Sequence, residues 1–113
     1  MVDHVRPKAL PAWFASLSSS HAPLVLDVRE PWELQTACIA TEPLELLAIP
    51  MGLVPAHLSR LNPERPIACL CHHGVRSLRV ATFLEQQGFQ HVANISGGID
   101  AWSQTVDPSV PQY

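Results

Sequence analysis

No block of basic residues occurs in this sequence, and its formal net charge is -3 with a pI near 6.0. A surface for nucleic acid or for an anionic membrane is therefore not expected. No apolar run approaches the length of a membrane span. The first residues, Met1-Val2-Asp3-His4-Val5-Arg6-Pro7, have no apolar h-region, so a secretory leader is not expected either. Cysteine is scarce, with three copies, an odd number that does not have the spacing of a disulfide scaffold. Free thiols in a reducing cytoplasm are the expectation. Internal repeats and domain boundaries are absent as well. What is present is a hydrophobic fraction of 47% in 113 residues, enough for a core without disulfide or metal staples. Residues 1–113 are read as one domain, with a core over about 5–105 and an extended tail over 106–113.

Apolar patterning alternates between strand and helix. Pro11 suits a first helical position, with Trp13, Phe14 and Leu17 following at helical spacing until Ser18-Ser19-Ser20. Leu24-Val25-Leu26 and Ile67 to Leu70 are continuous apolar runs, the pattern of parallel strands covered on both faces. Cys38-Ile39-Ala40 reads as a brief strand, and His91 to Ile95 as a last one. Thr41 to Met51 is Leu-rich with prolines at 43 and 50, and reads as a long connection with a turn of helix. Pro31 and Pro55 each suit the opening of a helix, Arg76 to Gln87 is a longer one, and Ile99 to Trp102 starts the last. Gly88 falls where a left-handed cap closes a helix, with Phe89 folding back on the last turn. The alternation predicts an α/β layer structure with a mainly parallel sheet. In such sheets sites form outside the carboxyl ends of strands, where Asp27-Val28-Arg29 and Cys71 both fall.

The stretch Cys71-His72-His73-Gly74-Val75-Arg76-Ser77 carries the chemistry. A cysteine ending a buried strand, a tight loop with a glycine, and a helix start together form a setting for a thiolate or another anion. Loop N–H groups converge on one sulfur, and the helix N-terminus adds positive potential. A thiol there is expected to ionise more readily than a free cysteine.

Four segments in order resemble the rhodanese-like sulfurtransferase family. They are Leu26 to Glu33 (Leu-Asp-Val-Arg-Glu-Pro-Trp-Glu), the loop Cys71 to Ser77, the Gly88-Phe89 helix exit, and Asn94 to Trp102 (Asn-Ile-Ser-Gly-Gly-Ile-Asp-Ala-Trp). The resemblance implies the rhodanese fold, a five-stranded parallel sheet with helices on both faces, and donors of the thiosulfate or persulfide type. Where the family has a His-Ile-Pro-Gly-Ala-like turn, this chain has Ala37-Cys38-Ile39-Ala40-Thr41-Glu42-Pro43. A different path is expected there, with consequences for the pocket rim.

On this reading Cys71 is the nucleophile. It takes the outer sulfur of a donor as a persulfide and passes it to a small thiol, a protein thiol or cyanide. His72 to Ser77 supply backbone donors to that anion, and Gly74 allows the tight curl. Arg76 adds positive charge and binds an anionic donor; His72 and His73 line the mouth. Asp27 and Arg29 brace the loop base. No cofactor and no metal are expected. A set of Cys69, Cys71, His72 and His73 is conceivable, but neighbouring side chains on a tight loop diverge. Cys38 and Cys69 read as small hydrophobes, with a resolving thiol as the other reading of Cys69. Trp32 and Trp102 read as packing, and Gly97-Gly98 as a turn first and a close approach to the loop second. Four residues separate Cys71 from Arg76, one fewer than in the phosphatase Cys-x5-Arg loop, which suits sulfur better than phosphate; the loop is also shorter than related arsenate-reducing loops use. A rhodanese-like binding or regulatory module with little turnover is the alternative.

Overall fold

The computed structural model describes residues 2–17, 19–41 and 44–113. Ser18 of the serine loop, and Glu42 and Pro43 of the atypical segment, lie outside the described residues. Five strands form one all-parallel sheet in the order β1-β5-β4-β2-β3. They are β1 (Asp3–Val5), β2 (Leu24–Asp27), β3 (Glu45–Ala48), β4 (Ile67–Leu70) and β5 (Val92–Ile95).

The three inner strands are buried at every position. Their side chains alternate between two cores, as the two-residue period of a strand requires. Leu24, Leu26, Ile67, Cys69 and Val92 enter one core; Val25, Ala68, Leu70, Ala93 and Ile95 enter the other. The first is covered by α3 (Val75–Gln86) through Val80, Ala81 and Leu84, and by the short 3-10 turns around Val54 and Leu58. The second is covered by α1 (Leu10–Ser16) and α4 (Gly98–Thr105) through Leu10, Ile99 and Trp102. Short α2 (Pro31–Thr36) follows β2. Helices therefore flank both faces, the expected architecture.

Two local expectations fail. Cys38-Ile39-Ala40 is not a strand; Ile39 plugs the second core from a loop, and Cys38 Sγ reaches back to Leu34 O at the end of α2. The third strand comes later, at Glu45–Ala48. As an edge strand with exposed ends it lacks the continuous burial that made its neighbours legible. β1 was also unread: of its three residues only Val5 is buried. Residues 106–113, read as an extended tail, form no helix or strand but make buried contacts. Val110 is 4% exposed within the second core, Ser103 Oγ donates to Val110 O, and Tyr113 lands on the loop described next. Their contacts are tertiary and leave no periodic trace.

Among the described residues no helix is long and apolar enough to cross a membrane.

Candidate active site

Cys71 follows β4 directly and is 1% exposed. Its Sγ accepts a hydrogen bond from the Gly74 N–H at 3.1 Å and lies 3.2 Å from Ser77 Oγ. The loop can turn inward this tightly because Gly74 has φ +105°. A Cβ at Gly74 would also press to 3.2 Å from the Gly97 nitrogen. Gly74 then caps α3, whose N-terminal dipole points toward the loop.

A proton count orders the interior of the loop. Asn94, on β5, donates from Nδ2 to Gly74 O at 3.1 Å, which turns its Oδ1 toward Ser77. Ser77 gives its single hydroxyl proton to that Oδ1 at 2.5 Å. The serine oxygen thus meets the sulfur with lone pairs, so a Cys71 thiol donates to Ser77. To support an anionic sulfur instead, the Ser77 hydroxyl must turn away from Asn94.

From the opposite side α4 holds the loop's carbonyls. Ile99 N–H donates to Cys71 O at 2.9 Å and Asp100 N–H to His72 O at 3.2 Å. The approach is close: a Cβ on Gly98, whose φ is +59°, would stand 2.4 Å from Cys71 O. Gly97-Gly98 is thus both the turn and the close approach. Among the described loop amides, the Gly74 N–H is the one that bonds the sulfur.

Asp27 and Arg29 form a buried pair at the end of β2. The Arg29 Nε and Nη2 donate to both Asp27 oxygens at 2.7 to 3.1 Å, and Arg29 is 0% exposed. Burial works against the Arg29 charge, but the bonds to Asp27 and Tyr113 outweigh it and hold the group protonated. Arg29 Nη1 continues to Glu33 O and to Tyr113 Oη. Asp27 and Arg29 therefore meet the loop through Glu33 and Tyr113.

Glu33 and Tyr113 were not anticipated, nor was the part played by Asn94. The Glu33 carboxylate, 2% exposed, takes both Arg76 Nη atoms at 2.7 Å each. It also accepts from Glu30 N–H, completing the capping box of α2, and from Tyr113 Oη. The Arg76 bonds first, and then the Glu30 and Tyr113 bonds, hold the Glu33 carboxyl at about 2 against the cost of burial. Arg76 is pushed upward by the same pair. The fork assigned in sequence to an anionic donor is therefore filled by Glu33. The Glu30-x-x-Glu33 spacing is a readable capping signal, and Asn94 is a polar residue inside an apolar strand. Tyr113 left no signal.

His72 and His73 stack on each other with centroids 3.9 Å apart, and Tyr113 stacks on His72, also at 3.9 Å. Burial, then the neighbouring His73, lower the His72 pKa from 6.5. His72, His73 and Asp100 bring one potential ligand atom each within 4.8 Å of one another. Rings stacked at 21° hold their in-plane lone pairs side by side and do not aim them at one ion. Adjacent loop side chains thus converge, contrary to expectation, but in a form unsuited to a metal. Val75, 66% exposed, faces out. Cys69 lies buried behind Cys71, and burial pushes its thiol far up, which suits an inert core thiol. Trp102 is core and Trp32 is exposed beside Tyr113. A cavity of about 590 Å³ lies between α1 and α4 around Leu10, Phe14 and Trp102, and no residue of this loop lines it.

An all-parallel sheet with an inward-held thiol at the carboxyl end of a central strand defines an α/β domain of the cysteine-loop class. The chain belongs to the rhodanese-like family: the family's Rhodanese-like domain matches residues 10–105. It is 44% identical over 89 residues to the Rhodanese-like/PpiC domain-containing protein 12, chloroplastic, of Arabidopsis thaliana, covering 79% of this chain and 30% of that protein. It is 33% identical over 88 residues to a sulfurtransferase of Allochromatium vinosum, covering 78% of each. The crystal structure of a rhodanese-related protein from Thermoplasma volcanium superposes with a TM-score of 0.75 at 30% identity, over 98% of this chain and 99% of that one. The chain thus spans less than a third of the chloroplastic relative.

Proposed function

We propose that the protein moves a sulfane sulfur from thiosulfate or a persulfide donor to a thiol or cyanide acceptor, with Cys71 as the carrier. The observation that carries this reading is the placement of Cys71 Sγ, inward on a Cys-x4-Arg loop and bonded by the Gly74 N–H and beside Ser77 Oγ. Ionised Cys71 attacks the donor's outer sulfur, and the S–S bond to the leaving group breaks. The new persulfide sits where loop N–H groups and the α3 N-terminus stabilise negative charge. Attack by the acceptor thiol or cyanide on the outer sulfur then regenerates Cys71. His72 to Ser77 shape this pocket, and Asp27 with Arg29 braces it. The pathway needs no cofactor, and its acceptor is a small thiol or a thiol on another protein. A reducing cytoplasm suits it, since Cys38, Cys69 and Cys71 are free.

Intact-mass measurement after donor treatment tests the proposal. The expected result is a gain of one sulfur, removed by cyanide and absent in Cys71→Ala, with ping-pong steady-state kinetics. One observation favours the alternative of a binding module with little turnover: Cys71 is 1% exposed. A protein that takes up no sulfur from either donor overturns the enzyme, and one that also captures a partner supports that alternative.

A further inference from the structure

The two arginines gathered at the loop are both paired with carboxylates. Arg29 is held by Asp27, and Arg76 by Glu33 through both of its Nη atoms. His72 stacks on His73 and Tyr113, and its burial disfavours the charged form. Asp100 adds a further carboxylate close to the His72 and His73 rings. The buried Arg29–Asp27 pair sums to zero, and Arg76 is matched by Glu33. A bidentate guanidinium is the natural clamp for a dianionic oxyanion, and here that clamp is already closed on a buried carboxylate.

We propose that Glu33 is the specificity-determining residue of this site, and that by occupying Arg76 it selects thiol persulfides over thiosulfate as sulfur donors. The inference rests on the sulfur-transfer reading above and narrows its donor class. Thiosulfate brings two negative charges and releases sulfite, a dianion, beside a loop arginine whose fork is already closed on Glu33. A persulfide R–S–SH carries its ionisable proton on the sulfur that is transferred and puts no oxyanion on the leaving group. Cys71 thiolate attacks the terminal sulfur, the S–S bond breaks, and R–S⁻ leaves. The proton stays on the transferred sulfur, giving Cys71–S–SH. One S–S bond replaces another, so no outside oxidant or reductant enters. Stabilisation of the transferred sulfur by loop N–H groups is common to both donors, so discrimination falls on the leaving group, which the rim charges face.

Glu33→Gln is the informative variant. Glutamine retains the shape and the capping-box acceptor of α2, but it removes the charge that occupies Arg76. The experiment measures the rate of sulfur loading on Cys71 by intact mass, with an alkyl persulfide that carries no other charged group and with thiosulfate, in the full chain. In the wild type the persulfide is expected to be faster in kcat/KM. In Glu33→Gln the thiosulfate-to-persulfide ratio is expected to rise about tenfold, as uncovering one charge near the leaving group predicts, and to fall back in Glu33→Gln/Arg76→Gln. A loss of packing alone slows both donors and leaves the ratio unchanged, which overturns the proposal.

The salt dependence of the wild type gives a second reading that needs no variant. Screening relieves repulsion, so thiosulfate loading is expected to accelerate as sodium chloride is raised; slowing marks an open cation and sinks the inference. Loading by thiosulfate but equal to or faster than by persulfide refutes only the selectivity. Loading by neither donor refutes the sulfur-transfer reading on which it rests.

Discussion

Glu33 does three jobs with two oxygens: it caps α2, neutralises Arg76 and anchors Tyr113. Its carboxyl is held at about 2, below the ordinary 4.5. A carboxyl depressed in the folded state stabilises the protein above its unfolded value, and the contribution is lost as pH falls through the folded value. Acid unfolding should therefore show a steep loss of stability between about pH 4.5 and 2, worth up to about 3 kcal/mol. Chemical denaturation at stepped pH measures it, and Glu33→Gln should flatten that limb. An unchanged limb in the variant means that another group carries it. His72 offers a second reading at this scale. Its ring is shielded by the Tyr113 stack, and burial is the main cause of its lowered value. In Tyr113→Ala the His72 resonance should titrate closer to 6.5, as followed by proton NMR; a downward move contradicts the assignment.

At the scale of elements, the loop is set by three neighbours. β4 delivers Cys71, α3 receives the chain at Gly74, and α4 docks its first N–H groups on the Cys71 and His72 carbonyls. Gly98 makes that docking possible, since any Cβ there meets backbone oxygens at 2.4 Å, atoms that cannot swing aside. Gly98→Ala adds this clash to a left-handed backbone cost of about 1–2 kcal/mol. The expected outcome is a stability loss above about 2 kcal/mol with impaired sulfur loading. Thermal denaturation and the mass assay check it. Gly52→Ala, where a Cβ meets nothing, is the control expected to change stability little.

Across the whole molecule, the last residues close the site's outer ring. Tyr113 links Arg29 from β2's end, Glu33 from α2 and His72 from the active loop. Much of this organisation was legible in order along the chain. Continuous apolar runs marked β2 and β4 because inner strands of a parallel sheet are covered on both faces. Gly88 marked a left-handed cap, Gly74 a tight curl and Gly97 a turn, all three of which have positive φ, and Cys71 ahead of Gly74 and Arg76 marked the loop. The edge strands β1 and β3 escaped because half-exposed short strands carry little hydrophobic pattern. Local chemistry, namely strand burial, helix caps and the length of the Cys71–Arg76 loop, is written in neighbouring residues, so the sequence alone determined the α/β layering and the position of the Cys71 loop. Which charges and protons meet across the loop was decided only by the tertiary structure. Glu33 and Arg76 lie 43 positions apart, Ser77 and Asn94 17, and Glu33 and Tyr113 80, and pairings over such separations exist only after the sheet has brought its strand ends together.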